Sequence, residues 1–146
     1  MKNTIKFLFI LFLFAGCQQK IKPSDIAKIN GYWEIKKVVF PDGNHKDYGI
    51  NETYDYFEIK NNKGFRKKVT PQLDGKFLVN DLSENVEVLF DHVKTYLSYN
   101  TTYAKWKEQL KSISDSEMVV INKEEKEYHY KKTGPINLLG NGEKTK

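Results

Sequence analysis

The sequence predicts an all-β protein, folded as an antiparallel up-and-down barrel of eight strands. Strand-like runs rich in Tyr, Phe, Val, Ile and Thr recur at close spacing and are separated by turn residues. No long amphipathic helix is predicted between them, so consecutive strands pair through short turns. Closure of such a sheet into a barrel removes its exposed edges.

The composition is typical of one globular domain. The chain has 146 residues, of which 39% are hydrophobic and 29% are charged. Its net charge is +5, from 24 basic and 19 acidic side chains. All basic residues except Arg66 are lysines, and acids are interspersed with them, which makes a poor nucleic-acid surface. We therefore expect no nucleic-acid partner.

The chain is predicted to begin with a signal peptide. Two lysines precede a wholly apolar run at residues 7–15, and Ala15 and Gly16 form a small-residue cleavage site. Nine apolar residues, at about 1.5 Å each, are too few to cross the roughly 30 Å of bilayer hydrocarbon. A transmembrane anchor is therefore disfavoured.

The only cysteine, Cys17, follows directly on the Phe-Ala-Gly sequence at residues 14–16. This arrangement resembles the lipobox of bacterial lipoproteins. The resemblance implies cleavage before Cys17, a diacylglyceryl thioether on its sulfur and an acylated amine. The alternative is an ordinary secretory signal in which the cysteine falls there by chance.

Lipidation implies a location in the cell envelope, with Cys17 anchored in a membrane. Residue 18 is Gln rather than Asp, and the usual lipoprotein sorting rule then implies the outer membrane, facing either the periplasm or the cell surface. A single cysteine also means that no intrachain disulfide can form.

Four parts are predicted: a signal peptide, a lipidated tether, a barrel domain and a tail, at residues 1–16, 17–28, 29–133 and 134–146. Ile26 and Ile29 are predicted to begin a short helical turn capped by Ser24. Strands are predicted at residues 32–40, 53–60, 65–70, 76–80, 86–90, 93–99, 102–113, 118–122 and 128–132. Between them lie turn sequences such as Pro-Asp-Gly-Asn and Asn-Asn-Lys-Gly.

One of these segments, residues 102–113, has two interpretations. Tyr103, Trp106, Leu110 and Ile113 are spaced at three and four residues, which also fits a helix. We favour a strand, because the Thr-Thr-Tyr sequence is a poor helix start and the neighbouring segments are strands.

Gly31 and Trp33 open the first strand in a Gly-x-Trp pattern similar to the lipocalin signature. The final strand, at residues 127–132, ends in basic residues, as in that family. The whole pattern resembles the short lipocalin-like lipoproteins of Gram-negative bacteria. The resemblance implies that Trp33 closes one end of the barrel beneath a basic side chain, a part for Lys131 or Lys132.

Strict alternation predicts which side chains face the interior. With Trp33 inward, the others predicted inward are Ile35, Lys37, Val39, Phe57, Ile59, Val86, Val88 and Phe90. Tyr54 and Tyr56 are predicted outward. The candidate ligand-binding residues are Trp33, Ile35, Phe57, Val88 and Phe90.

Two functions from different classes remain open. A hollow barrel would bind or carry a small hydrophobic molecule, whereas a filled barrel would leave its outer surface to bind an envelope protein partner. Catalysis finds little support, because His45, His92 and His129 are scattered and no Gly-x-Ser-x-Gly or HExxH motif occurs. The sequence predicts a non-enzymatic protein without cofactor or metal.

Overall fold

The computed structural model describes residues 20–134. The predicted signal peptide, Cys17 and the predicted tail beyond Gly134 lie outside the described residues. A 3-10 helix at Pro23–Ile29 precedes ten strands: β1 (Gly31–Val39), β2 (His45–Asp47), β3 (Tyr54–Lys60), β4 (Lys63–Pro71), β5 (Phe77–Val79), β6 (Glu84–Phe90), β7 (Thr95–Asn100), β8 (Lys105–Ile113), β9 (Glu117–Ile121) and β10 (Glu127–Thr133). No helix in this part of the chain has the length and apolar character needed to span a membrane.

Eight of these strands close a barrel in chain order. Each strand of the barrel pairs antiparallel with the next in the order β1, β3, β4, β6, β7, β8, β9 and β10. The last strand, β10, pairs with β1 and closes the barrel. The short strands β2 and β5 pair outside this circuit, with β1 and β4 respectively. The predicted antiparallel eight-stranded barrel is confirmed. Strand β2 is not predicted from the sequence, because its three residues are all polar and exposed.

Residues 102–113 contribute a strand, β8, and not a helix. Trp106 and Leu110 both pack with the core, and Glu108 lies between them on the same face. A bulge after Leu110 then turns Ile113 to the interior. Trp106 and Leu110 are four residues apart because the inward position between them is an acid, and Leu110 and Ile113 are three apart because of the bulge. This spacing resembles that of a helix.

A bulge in β1 changes which residues face the interior. The pairing with β10 shifts between Ile35 and Lys37. Val38, only 5% exposed, consequently lies opposite Tyr128 on the inner face. The predicted inward orientation of Lys37 and Val39 is wrong, because the bulge interrupts the strict alternation on which it depended.

The apolar core occupies the barrel interior, and we call the end of the barrel next to the 3-10 helix the closed end. Members of the core at 4% exposure or less include Ile26, Ile29, Trp33, Phe57, Leu97, Leu110, Met118 and Val120. The β6–β7 and β8–β9 turns lie at the closed end, because the strands alternate in direction. The β5–β6, β7–β8 and β9–β10 connections lie at the other end, which we call the mouth.

The 3-10 helix begins at Pro23, a residue whose missing N–H costs nothing at a helix start. The carboxylate of Asp25 accepts a hydrogen bond from the backbone N–H of Lys22 at 3.0 Å. The predicted cap by Ser24 is therefore wrong. Lys22, the residue directly before the helix, occupies the N-cap position.

The predicted tether, residues 17–28, is partly packed on the barrel. Ile21 and Ile26 are 7% and 4% exposed and belong to the core. Both side chains help to cover the closed end. The described part of this segment therefore belongs to the folded domain.

Tyr54 and Tyr56 face outward, as predicted, on the side of the barrel that β5 covers. The ring of Phe77 in β5 stacks on Tyr32, with centroids 4.2 Å apart, and Tyr56 lies 4.7 Å from Tyr32. Tyr54 is only 5% exposed beneath this hairpin. The β4–β5 hairpin thus shields an outer aromatic patch from water.

Candidate functional site

Trp33 closes its end of the barrel through contacts at the edge and over the face of its ring. Its Nε1 donates a hydrogen bond to the carbonyl of Ile29 at 2.6 Å. The ammonium of Lys132 lies 5.1 Å from the ring centroid and donates to the carbonyl of Lys28 at 2.8 Å. Lys132, and not Lys131, is therefore the basic side chain of the last strand that covers Trp33. Partial burial lowers the pKa of Lys132.

Most of the candidate ligand-binding residues are core residues. Trp33, Phe57 and Val88 are 0%, 1% and 4% exposed, and Ile35 is half-buried against them. None of these four lines any of the cavities described below. Phe90 keeps the inward alternation of β6, opposite the buried Thr95, but it lies at the end of the strand on the rim of the closed end and is 40% exposed. The other four side chains therefore fill the apolar core and do not line an open cavity among those described below.

Charged side chains also lie inside the barrel, beside this apolar core. Strand pairing places Arg66 between Phe57 and Glu84, and Lys68 opposite Asp55. The same alternation that turns Phe57 inward turns Asp55 inward. We call Asp55, Arg66, Lys68, Glu84 and Glu108 the inner charge cluster.

Arg66 is the centre of the inner charge cluster. Its side chain is only 9% exposed. The Nε group donates a hydrogen bond to Glu84, and Nη1 lies 3.8 Å from Oε2 of Glu108. The guanidinium carbon lies 4.3 Å from the centroid of the Tyr99 ring, which itself stacks on Trp106 at 5.0 Å. This stacking and ion pairing keep a buried cation in place.

A second ion pair joins Lys68 to the buried carboxylate of Asp55. The Nζ to Oδ1 distance is 2.5 Å. The Asp55 side chain is 1% exposed, whereas that of Lys68 is 50% exposed. Lys68 therefore bridges the buried part of the cluster and the solvent at the mouth.

Burial is the largest influence on the pKa values of Arg66, Tyr99 and Glu108. It raises the pKa of Glu108, and the charge of Arg66 only partly opposes this effect. Burial acts to lower the pKa of Arg66, but the interactions with Tyr99 and with the hydrogen-bonded Glu84 carboxylate raise it by more. The pKa of Arg66 is therefore raised, and its guanidinium stays charged. Burial also raises the pKa of the Tyr99 hydroxyl. Glu108 therefore keeps its proton to a higher pH than an ordinary glutamate does.

Three buried polar atoms in this region have unused hydrogen-bonding capacity, namely Oδ1 of Asp55, which forms the ion pair with Lys68, the hydroxyl of Tyr99 and Oε2 of Glu108. The hydroxyl of Tyr99 and Oε2 of Glu108 are buried, and neither makes a hydrogen bond of ordinary geometry among residues 20–134, although the two groups interact with each other. Buried polar groups without such bonds are uncommon in folded proteins.

A cavity of about 350 Å³ opens directly above this cluster. Arg66, Lys68 and Glu84 form its polar floor, and Leu82 and Tyr103 supply apolar surface. Its remaining lining residues are Asn80, Ser83, Thr101 and Thr102. Two other depressions, of about 400 and 540 Å³, are lined mainly by polar and charged residues on the outer surface of the sheet.

The sequence contains further signals for this site, beyond the predicted ligand-binding residues. Asp55 is two residues before Phe57, and Glu108 lies between Trp106 and Leu110, so alternation places both acids inside. Arg66 is the only arginine of a lysine-rich chain. A charge at an inward position of a barrel strand is the pattern that would have identified the cluster.

The histidines show no metal-binding arrangement. Within the described part of the chain, no group of three or more His, Cys, Asp or Glu side chains could hold a metal ion. His45 and His129 each lie near one carboxylate, at 3.4 and 3.3 Å. The Asp91 carboxylate accepts a hydrogen bond from the backbone N–H of His92, which is turn geometry rather than an oriented catalytic pair.

The raised pKa of Glu108 predicts how the stability of the protein depends on pH. The folded protein retains this proton above the ordinary pKa of 4.5, so stability falls as pH rises from that value to the raised one. We expect Glu108→Gln to remove this decrease and raise the melting temperature at neutral pH by a few degrees. Thermal unfolding followed by circular dichroism between acid and neutral pH measures it. A lower melting temperature at neutral pH would show instead that an ionised Glu108 stabilises the fold through Arg66.

A family model supports the assignment of the fold. This family model, described as a lipocalin-like domain, matches residues 29–120, more than half of the chain. The solved structures that resemble it include a lipocalin-like protein from Bacteroides uniformis, 9% identical, with a TM-score of 0.45 over 73% of this chain and 99% of that one. Another, an uncharacterized protein from Bacteroides eggerthii, is 10% identical, with a TM-score of 0.45 over 71% and 98% of the two chains. No curated protein matches. With its closed eight-stranded barrel and this family match, the chain belongs to the lipocalin-like domain family.

Proposed function

We propose that this protein is a lipid-anchored lipoprotein of the cell envelope whose barrel binds a small amphipathic molecule at its mouth. The observation that carries the binding proposal is the cavity of about 350 Å³ with Arg66 and Lys68 on its floor and Leu82 and Tyr103 on its walls. The proposal involves no catalytic step and no cofactor. It refines the sequence-based expectation of a hydrophobic ligand in the barrel interior.

The ligand is expected to be amphipathic because the two surfaces of the cavity differ in chemistry. Trp33, Phe57 and Val88 already fill the apolar interior, so a wholly hydrophobic ligand has no room beside them. At the mouth, the guanidinium offers N–H donors beyond the one bonded to Glu84. Leu82 and Tyr103 are 75% and 93% exposed and gain most from covering an apolar ligand body.

The size of the cavity limits the ligand. Pockets for small molecules in proteins range from about 300 to 1,000 Å³, and this cavity lies near the lower bound. A compact molecule of one or two rings or a short acyl group fits this volume better than a long lipid chain does.

The binding proposal predicts which substitutions remove ligand uptake. The probe is anilinonaphthalene sulfonate, which joins aromatic rings to an anionic group and fluoresces when bound. We expect Leu82→Ser with Tyr103→Ser to weaken its binding to the barrel roughly tenfold, equivalent to about 1.4 kcal/mol. Ile50→Ser is the matched control, since Ile50 is 96% exposed near the mouth but does not line the cavity. Equal affinity in both variants would place the probe elsewhere and count against the site.

The anchoring proposal rests on Cys17 and the apolar segment before it. We expect Cys17→Ser to leave an uncleaved precursor without lipid, because only a thiol can form the diacylglyceryl thioether. Metabolic labelling with a radioactive fatty acid, followed by gel electrophoresis, measures both effects. A variant that is labelled and processed normally would contradict the lipidation of this residue.

A second candidate function has one specific observation in its favour. Apolar side chains between 66% and 96% exposed surround the mouth, namely Ile50, Leu73, Leu78, Leu82 and Tyr103. Such a ring of apolar surface is also typical of a docking site for a protein. A filled barrel that binds an envelope protein partner is therefore the alternative that the ligand measurement must decide.

A further inference from the structure

We propose that the closed end of the barrel rests on the membrane, so that the β6–β7 turn enters the headgroup region and the mouth faces away from the bilayer. The surface concerned comprises residues 20–23 and 90–95, which we call the basal patch. The inference rests on the lipidation of Cys17 in the proposed function. Its occupant is the surface of the bilayer that holds the lipid of Cys17.

The basal patch joins the start of the folded chain to the β6–β7 turn. Lys20 and Ile21 line the same concave site as Phe90 and Val93, with a volume of about 320 Å³. Phe90 is 40% exposed and Val93 is 77% exposed at the tip of the turn. Exposed apolar side chains at the tip of a turn cost free energy in water and gain it at the boundary between headgroups and acyl chains.

The length of chain between the lipid and the barrel restricts the orientation. Ile21 is fixed in the core at 7% exposure, and only three residues separate it from Cys17. Four residue steps of extended chain reach at most about 14 Å. The strands separate the two ends of the barrel by roughly 20 Å. The closed end is therefore the part of the domain that the anchor holds nearest to the membrane.

The charge of the basal patch suits a membrane surface. Three exposed lysines, at positions 20, 22 and 94, line it with a single acid, Asp91. Lysine ammonium groups are attracted to the phosphates of lipid headgroups, while their methylene stems lie along apolar surface. An apolar tip between lysines is the arrangement expected of a protein segment that lies in the bilayer interface.

In this orientation, the two exposed apolar surfaces of the protein, the basal patch and the mouth, have different functions. The basal patch faces the bilayer, whereas Leu82 and Tyr103 at the mouth stay in the aqueous phase. A ligand or a partner can then reach the mouth without crossing the membrane surface.

Site-specific fluorescence on the mature lipoprotein tests the orientation. Because Cys17 is consumed by lipidation, Val93→Cys introduces the only free thiol, and Tyr103→Cys provides the matched position at the mouth. Each variant is labelled with nitrobenzoxadiazole and placed in vesicles of phosphatidylethanolamine and phosphatidylglycerol that contain a lipid with a nitroxide near its headgroup. We expect the label at position 93 to shift to shorter wavelength and lose about half or more of its fluorescence, as an interfacial position should. The label at position 103 should behave as in water.

The outcomes separate the orientation from the anchor itself. Flotation of the same vesicles shows whether the protein is membrane-bound. A protein that floats with an unquenched label at 93, or with a quenched label at 103, overturns the orientation and leaves the anchor intact. A mature protein that does not float overturns the anchoring proposal and the orientation with it. Phe90→Ser should reduce the quenching at 93, because it removes apolar surface from the tip.

Discussion

Replacement of Trp33 by alanine is expected to lower the free energy of unfolding by about 3–5 kcal/mol, as for other fully buried tryptophans. The side chain is 0% exposed and packs in the core beside Ile29. Its loss leaves a cavity beneath the 3-10 helix and removes the hydrogen bond from Nε1 to the Ile29 carbonyl. It also removes the ring over which the Lys132 ammonium lies. Urea unfolding followed by circular dichroism measures the change.

Two further variants show whether this loss comes from the closure of the barrel end. Trp33→Phe keeps most of the ring but not the N–H group, so it should fall between wild type and Trp33→Ala. Tyr103→Ala removes an aromatic ring that is 93% exposed and should change the free energy of unfolding by less than about 0.5 kcal/mol. If Trp33→Ala were as mild as Tyr103→Ala, the barrel would not depend on this residue for closure.

Replacement of Arg66 by methionine is expected to lower the free energy of unfolding by about 3–5 kcal/mol, the range for removal of one partner from a buried ion pair. Methionine retains much of the side-chain volume but leaves Glu84 and Glu108 without their cation. The same change should abolish binding of anilinonaphthalene sulfonate at the mouth. Urea unfolding and a fluorescence titration measure the two effects.

Neutral replacements of the acids distinguish loss of charge from loss of packing. Adding Glu84→Gln and Glu108→Gln to Arg66→Met should restore a large part of the stability, because no uncompensated carboxylate then remains. Lys111→Met is the matched control, since Lys111 pairs with Glu127 at the surface. Such exposed pairs contribute about 0–1 kcal/mol. No recovery in the triple variant would mean that Arg66 acts through packing on Tyr99 alone.

The sequence predicts the barrel because strand pattern and turn chemistry agree along most of the chain. The Gly-x-Trp opening of β1 correctly locates the closed end, and Lys132 takes the place expected of the last strand. The predictions fail where the backbone departs from regular pairing. The bulges in β1 and β8 change the inward face within a single strand, and a sequence carries no direct signal of that shift.

The candidate site is harder to predict than the fold. Apolar residues such as Phe57 and Val88 are predicted to line a ligand cavity, whereas they fill the core. The cavity depends on loops at the mouth, in particular the exposed residues Leu82 and Tyr103. Strand alternation can indicate an inward acid such as Glu108. Which loops enclose a cavity above it depends on contacts between segments distant in sequence.

In the proposed function, the mouth of the barrel, and not its apolar core, holds a small molecule. Native mass spectrometry of residues 18–146, purified from the host envelope without detergent, tests it most directly when the wild type is compared with Leu82→Trp. We predict a discrete added mass on the wild type that is lost on denaturation and absent from Leu82→Trp, because the larger ring occupies the cavity. A bare mass for the wild type, or the same added mass on both proteins, would contradict the claim and favour the filled barrel with a protein partner.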